Sequence, residues 1–259
     1  MIEGLPLSHR LAVASLRTAL AALCLAPVAT PAQEALPDSS LPEQLFQLPA
    51  GCEAYVTVQK RDCVVSHMFT CSGDPGGHQR RVDMDEEGMT YIGLIDAETQ
   101  WIESRHLLAG SVETLQPGPR DPASFTELAA TGRDGFDFIT RQEGTGLRTR
   151  YVGEDRLTGE TVTVDGVTLE QTEFQVRAID PATKQEVWRS EGNEFINRDW
   201  RSFVSGTRSV TTPNDSYSSD SRPAAFAFPG EEGFLSSVPR YGCSAMMSQL
   251  DLGLSEAPA

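Results

Sequence analysis

Past residue 32 the chain carries three histidines, His67, His78 and His106, and four cysteines, Cys52, Cys63, Cys71 and Cys243. So few imidazoles narrow acid–base and metal schemes at once. A serine nucleophile of the elbow type needs Gly-x-Ser-x-Gly to expose its hydroxyl, and Ser205-Gly206 lacks the first glycine of that motif. Cys63-x-x-x-His67-x-x-x-Cys71 presents soft ligands at a spacing that would share one face of a helix. Val64, Val65 and the surrounding alternation favour extended chain instead, in which residues four apart lie about 13 Å from each other and cannot hold one ion. Asp215-Ser216-Tyr217-Ser218-Ser219-Asp220 offers spaced oxygens but lacks the central Gly and terminal Glu of a calcium loop. Gly73-Asp74-Pro75-Gly76-Gly77 lacks the Gly-Lys-Ser or Gly-Lys-Thr ending of a phosphate cradle. No catalytic residue, metal ligand or cofactor site is assigned on these grounds.

What the cysteines can do is form bridges, and the element that carries three of them limits the pairing. Cys52 to Cys71 alternates as a hairpin, with Ala54, Val56 and Val58 on one side, Glu53, Thr57 and Gln59 on the other, and a polar break at Lys60-Arg61-Asp62. In that register Cys52 faces Cys71 and Val58 faces Val65. Cys63 and Cys71 then sit at opposite ends of one strand, about 27 Å apart, far beyond the roughly 7 Å that a bridge can span. Cys52 is as remote from Cys63. The remaining pairing is Cys52 with Cys71 and Cys63 with Cys243. His67 shares the apolar side of this hairpin and reads as a hydrogen-bonded structural residue.

The compartment agrees with bridges. The first 32 residues contain only Arg10 and Arg17 as basic residues, an apolar run from Ala19 to Ala26, and small residues Thr30 and Ala32 before a cleavage point placed after Ala32, with Ala29 as the alternative. This is the pattern of a signal peptide, and it addresses the chain to the periplasm or the exterior, where disulfides persist. Leu23 before Cys24 does not suit lipidation. The apolar run is shorter than the roughly 20 residues needed to cross a bilayer, and no later stretch approaches that length. Removing Glu3, Arg10 and Arg17 with the leader leaves 36 acidic against 19 basic side chains, a formal charge of −17. Such a surface repels phosphate, which argues against nucleic acid and anionic membranes as partners and for a dispersed monomer.

The 227 remaining residues suffice for one domain, taken as 51–247 between a lead-in at 33–50 and a non-periodic tail at 248–259. Its centre is an antiparallel meander from Leu147 to Val210. Asp165-Gly166 predicts a two-residue hairpin with Val164 facing Val167, Val162 facing Leu169 and Thr163 pairing Thr168. Asp96-Ala97-Glu98-Thr99, Asp155-Arg156-Leu157-Thr158-Gly159 and Asp180-Pro181-Ala182-Thr183 share a turn chemistry in which the Asp side chain binds amides further on, and all three are expected to be hairpin loops. Ser72–Gly88 and Thr211–Pro223 read as surface loops. One short helix is expected from an Asp121 cap and Pro122, with Phe125, Leu128 and Ala129 on one face and Gly132 as its stop.

The succession of a cysteine-bearing hairpin, Thr90-Tyr91-Ile92-Gly93-Leu94-Ile95-Asp96, Asp121-Pro122-Ala123-Ser124-Phe125 and Asp165-Gly166-Val167-Thr168-Leu169-Glu170 resembles uncharacterised periplasmic proteins of alphaproteobacteria. That resemblance implies no activity. In architecture alone, a curved antiparallel wall with a helix against it is similar to the half-barrels that carry lipoproteins across the periplasm. The expected fold is mainly β, an antiparallel meander curved into a half-barrel or open barrel with one short helix. The expected function is non-catalytic binding of an apolar or peptide-like ligand, or an envelope accessory role, with a motif-less secreted hydrolase as the alternative. Trp101, Trp188, Trp200, Phe195 and Phe203 fall on strands or strand ends, where they can line a concave face or fill an ordinary core.

Overall fold

A computed structural model describes residues 46–243. The leader expected at 1–32, most of the expected lead-in and the expected tail lie outside the described residues. The rest is one antiparallel sheet of thirteen strands with a single helix. In chain order these are β1 (Cys52–Lys60), β2 (Val65–Cys71), β3 (Gln79–Asp85), β4 (Gly88–Ile95), β5 (Trp101–His106), β6 (Ser111–Leu115), α1 (Phe125–Thr131), β7 (Arg133–Gln142), β8 (Arg148–Val164), β9 (Val167–Ile179), β10 (Glu186–Asn197), β11 (Ser202–Thr211), β12 (Ser216–Asp220) and β13 (Pro223–Ala227). From β1 to β12 every strand pairs with its chain neighbour, and β13 returns to the free side of β1. The sheet is not closed by a ladder between its two edge strands. At that seam the Ser221 N–H reaches the Gly206 carbonyl of β11, and the Arg222 carbonyl accepts from the Arg61 N–H.

The hairpins that position this sheet follow from their turn residues. Asp165 and Gly166 both have positive φ, as a two-residue turn of this twist requires, and the expected pairs across it are present. Asp96 and Asp180 each accept amide hydrogens from residues two to four further on, closing the β4–β5 and β9–β10 loops. Asp155–Gly159 is different. It lies inside the seventeen-residue β8, where the register jumps between Leu157 and Thr161, so the glycine at positive φ serves a bulge and not a hairpin.

Three other expectations are corrected. A bulge at Tyr55 shifts the β1–β2 register by one residue, so Val58 faces Ser66, Thr57 faces His67, and Ala54 changes to the face opposite Val56 and Val58. The segments expected as loops at Ser72–Gly88 and Thr211–Pro223 contain β3 and β12. The helix starts three residues later than expected: Ser124, not Asp121, is the cap, its hydroxyl accepting the Glu127 N–H, while Gly132 at positive φ stops it as anticipated. Asp121 instead forms a bridge with Asp137 of β7.

Both faces of β1 and β2 are covered, which explains their continuous burial. On one side Val56, Val58 and Met68 meet Leu169, Phe195, Val204 and Phe226. On the other, Ala54, Val65, Phe69, Val82 and Met84 lie beneath Phe46, Leu48, Phe234 and Leu235. The irregular segment after β13 is held there by polar contacts to β1: Thr57 Oγ1 accepts from the Leu235 N–H at 2.9 Å, and the Gln59 side chain bonds both Val238 and Arg240. The Cys63–Cys243 bridge fixes its end, and Cys52–Cys71 ties β1 to β2 at the other. The two bridges fit an oxidising, extracytoplasmic compartment. Helix α1 buries Phe125 and Leu128 against Ile196, with Leu157 and Phe203 beside them. Glu98, on the β4–β5 turn, pins its start by accepting from Ser124, Thr126 and Arg201. Among the described residues no helix is long and apolar enough to cross a membrane.

Candidate ligand-binding site

Two groups of side chains on one face of the sheet stand apart from its apolar core. The first begins in β3, whose alternation runs Arg81, Asp83 on one face and Val82, Met84 on the other. Asp83 accepts from Ser66 Oγ at 2.6 Å, and its carboxylate lies 3.4 Å from the Lys60 ammonium and 3.2 Å from Arg81 Nε. Burial opposes charge on Asp83, yet Arg81, Lys60 and Ser66 hold its carboxyl below the ordinary aspartate range. Burial likewise lowers Lys60, partly offset by Asp83. Arg81 stays above its ordinary value because Asp83, Tyr91, Glu194 and Tyr55 outweigh its own burial.

Glu194 of β10 and Asp155 of β8 extend the group. Burial raises the Glu194 carboxyl against the pull of Arg81, Arg208 and Lys60. Burial pushes Asp155 up to about 8, with Glu194, Asp134 and Glu154 adding to it. Asp134, directly across from Asp155 in the β7–β8 ladder, is raised to about 6 by burial despite accepting the Ser124 N–H. Of these acids Asp155 holds its proton at neutral pH.

The second group is aromatic and reaches solvent. On β7 and β8, Phe138 and Tyr151 are paired neighbours with ring centroids 5.4 Å apart. Trp101 stands edge-on to both, at 5.4 and 5.3 Å, and Trp188 lies 5.9 Å from Tyr151 on its other side. Phe138 and Tyr151 are buried, at 2% and 6% exposure, whereas Trp101 is 39% exposed and Trp188 is half-buried. The floor is therefore fixed and the two indoles form its rim. At the hydroxyl end of Tyr151, Glu113 Oε2 of β6 accepts from Tyr151 at 3.1 Å and from Thr140 Oγ1 at 2.7 Å. Burial and this carboxylate together raise the Tyr151 phenol, which stays protonated and donating.

The wall continues along the sheet through residues of the same face. Glu113 stands across from Ser104, Ser104 across from Gly93, and Tyr91 across from His106. Tyr91 reaches Ser104 Oγ at 3.1 Å, its ring 5.3 Å from His106 and 5.0 Å from the Arg81 guanidinium. Gly93 makes room for this: a Cβ there would stand 2.7 Å from the Tyr91 hydroxyl. β5 and β6 are intermediate in burial on both faces, apart from the exposed Trp101 and His106, so solvent reaches this part of the wall.

The five aromatic residues singled out from the sequence do not share one place. Trp101 and Trp188 meet at Tyr151. Trp200 packs with Tyr55, Phe226 and Phe228. Phe195 is buried in the core beside Val56 and Val58, and Phe203 stacks edge-on to Phe125 of the helix. Tyr151, Phe138, Glu113 and Thr140 were not identified from the sequence. Their signal was there in the alternation Phe136-x-Phe138-x-Thr140, which puts three successive residues on one face of a strand. His67 is fully buried, its Nδ1 2.9 Å from Thr57 Oγ1, and burial lowers it to about 4 despite Asp83, so it stays neutral. No family model, curated protein or solved structure matches the chain.

Proposed function

We propose that this is a non-catalytic binding protein of the periplasm or exterior, exported by its leader and working as a monomer, that holds an apolar or peptide-like ligand against the Trp101–Trp188 wall or serves there as an envelope accessory factor. The observation that carries this reading is the pairing of a rigid floor, Phe138 and Tyr151, with two partly exposed indoles. Large aromatic side chains left partly in water lose apolar exposure when a ligand covers them, and a buried floor spares the ligand the cost of ordering them. The acidic surface excludes phosphate-rich partners and leaves uncharged or basic ones.

Native mass spectrometry of protein purified from the periplasm, with tryptophan emission recorded across a lipid and peptide panel, tests the reading. A copurifying species, or a blue shift lost in Trp101→Ala and Trp188→Ala, is the expected result. Unchanged emission across the panel, with no bound species, would overturn it.

A further inference from the structure

The rim of indoles has an acid at one end that no cation among the described residues pairs with. Glu113 takes part in none of the ion pairs among the described residues. Its Oε2 is occupied by two hydroxyl donors, Thr140 and Tyr151, which fix the carboxylate in place, while Oε1 has no hydrogen-bond partner among them. Two neutral hydroxyls orient a carboxylate without cancelling its charge. Two neighbouring carboxylates differ from it, Glu103 of β5 pairing with Arg105 and Asp137 of β7 with Arg150 of β8, while Asp134 at the far end of β7 is in no ion pair among the described residues but is buried at 4% exposure away from solvent. The Tyr151 ring joins the two features, with its hydroxyl on Glu113 and its faces and edge against Trp101 and Trp188.

We infer that this place takes the side chain of a lysine from an extended partner peptide, its methylene stem lying on the indoles and its ammonium between Glu113 Oε1 and the π-face of Trp101. Each part of that ligand matches an observed feature. Indole faces attract cations more strongly than other aromatic rings do. A lysine stem covers apolar surface while its head seeks a charge partner. The formal charge of −16 over the chain draws a basic peptide toward the molecule at long range. The inference rests on the binding reading above and narrows its ligand to a cationic peptide.

The test uses the whole secreted chain, in 150 mM salt so that diffuse attraction is screened. An Ac-Gly-Lys-Gly-Lys-Gly-amide peptide is compared with the same peptide acetylated on both lysines, which keeps the stems and removes the charges. The lysine peptide is expected to alter tryptophan emission and to bind at least about tenfold more tightly than the acetylated one. Glu113→Gln and Trp101→Ala should each weaken it about fivefold or more. Trp101→Phe, which keeps a ring, should retain part of the affinity, and circular dichroism confirms that each variant is folded. Equal binding of the two peptides would overturn the lysine site while leaving the binding reading intact. Lysine-peptide affinity unchanged in Trp101→Ala would show mere attraction to an acidic surface and overturn it as well. Silence of both peptides while an apolar ligand still binds would reject the cationic ligand alone; silence of every ligand would remove both readings.

Discussion

The wall built from β1, β2 and β3 and the wall built from β5 to β8 belong to one sheet and are made from the same alternation, but they are finished differently. The first is covered on both faces, by Leu169, Phe195 and Phe226 on one side and by the segment around Phe234 and Leu235 on the other, and its Asp83 pairs with both Lys60 and Arg81. The second leaves β5 and β6 half in water, carries its aromatics at a rim, and keeps an acid without a cation. A strand sealed on both sides contributes stability and cannot meet a ligand. A strand sealed on one side keeps a surface that a ligand can cover. If the proposed binding reading holds, stability belongs chiefly to β1–β3 and recognition to β5–β8, and changes to the two walls should separate these properties.

The largest effect is expected at the staple. Replacing Cys63 and Cys243 together with Ser opens a loop of 180 residues and should lower unfolding free energy by about 4–5 kcal/mol on the chain-entropy account. Urea unfolding measures this, and peptide binding at the Trp101 rim should persist under conditions where the variant is folded. Asp83→Ala comes next. It leaves Lys60, at 5% exposure, without its acid, and removing one partner of a buried pair costs about 3–5 kcal/mol. A loss under 1 kcal/mol would show that water already serves these charges.

The third prediction concerns pH. Asp155 has a folded value of about 8, above that of an unfolded aspartate, so between roughly pH 4 and 8 the folded chain binds more protons and stability falls as pH rises. Asp134, at about 6, acts in the same sense up to that pH. His67 has the opposite sign: its folded value of about 4 lies below the unfolded one near 6.5, so it makes stability rise between those values. Above pH 6.5 the decline due to Asp155 remains. Wild-type stability should drop by about 1.5–2 kcal/mol between pH 6.5 and 8 through Asp155, and Asp155→Asn should flatten that limb. An unchanged slope in the variant would reassign the decline to other groups. Smallest is Trp188→Ala, at the half-buried rim: about 1 kcal/mol or less in stability, with a clear loss of ligand-induced emission change. A large destabilisation with binding retained would reverse the assignment of the two walls.

Much of the fold was legible because its signals are local. The Asp165-Gly166 turn, the Asp96 and Asp180 loops, the Gly132 stop and the strands beside them rest on backbone preferences that act over a few residues. β3 and β12 were read as loops for a physical reason. Strand assignment looks for apolar residues on one face and polar ones outside, but Arg81 and Asp83 turn charge toward other charges in the fold, and Ser216–Asp220 has no apolar face at all. The candidate site was half legible. Trp101 and Trp188 stand out as residue types, while Glu113 is one acid among 37 in the chain until β6 and β7 bring it to Tyr151 and Thr140.

By itself, then, the amino-acid sequence determined an antiparallel β protein with its hairpin turns and its short helix, because turn chemistry and alternation are properties of neighbouring residues. Only the tertiary structure decided which face each side chain takes past the Tyr55 bulge, since one inserted residue reverses the inward and outward sets. It alone decided that Trp200, Phe195 and Phe203 belong to the core and that Trp101 and Trp188 share a rim. It alone left Glu113 without a cation, because whether a charge is compensated depends on distances across strands that are far apart in the chain.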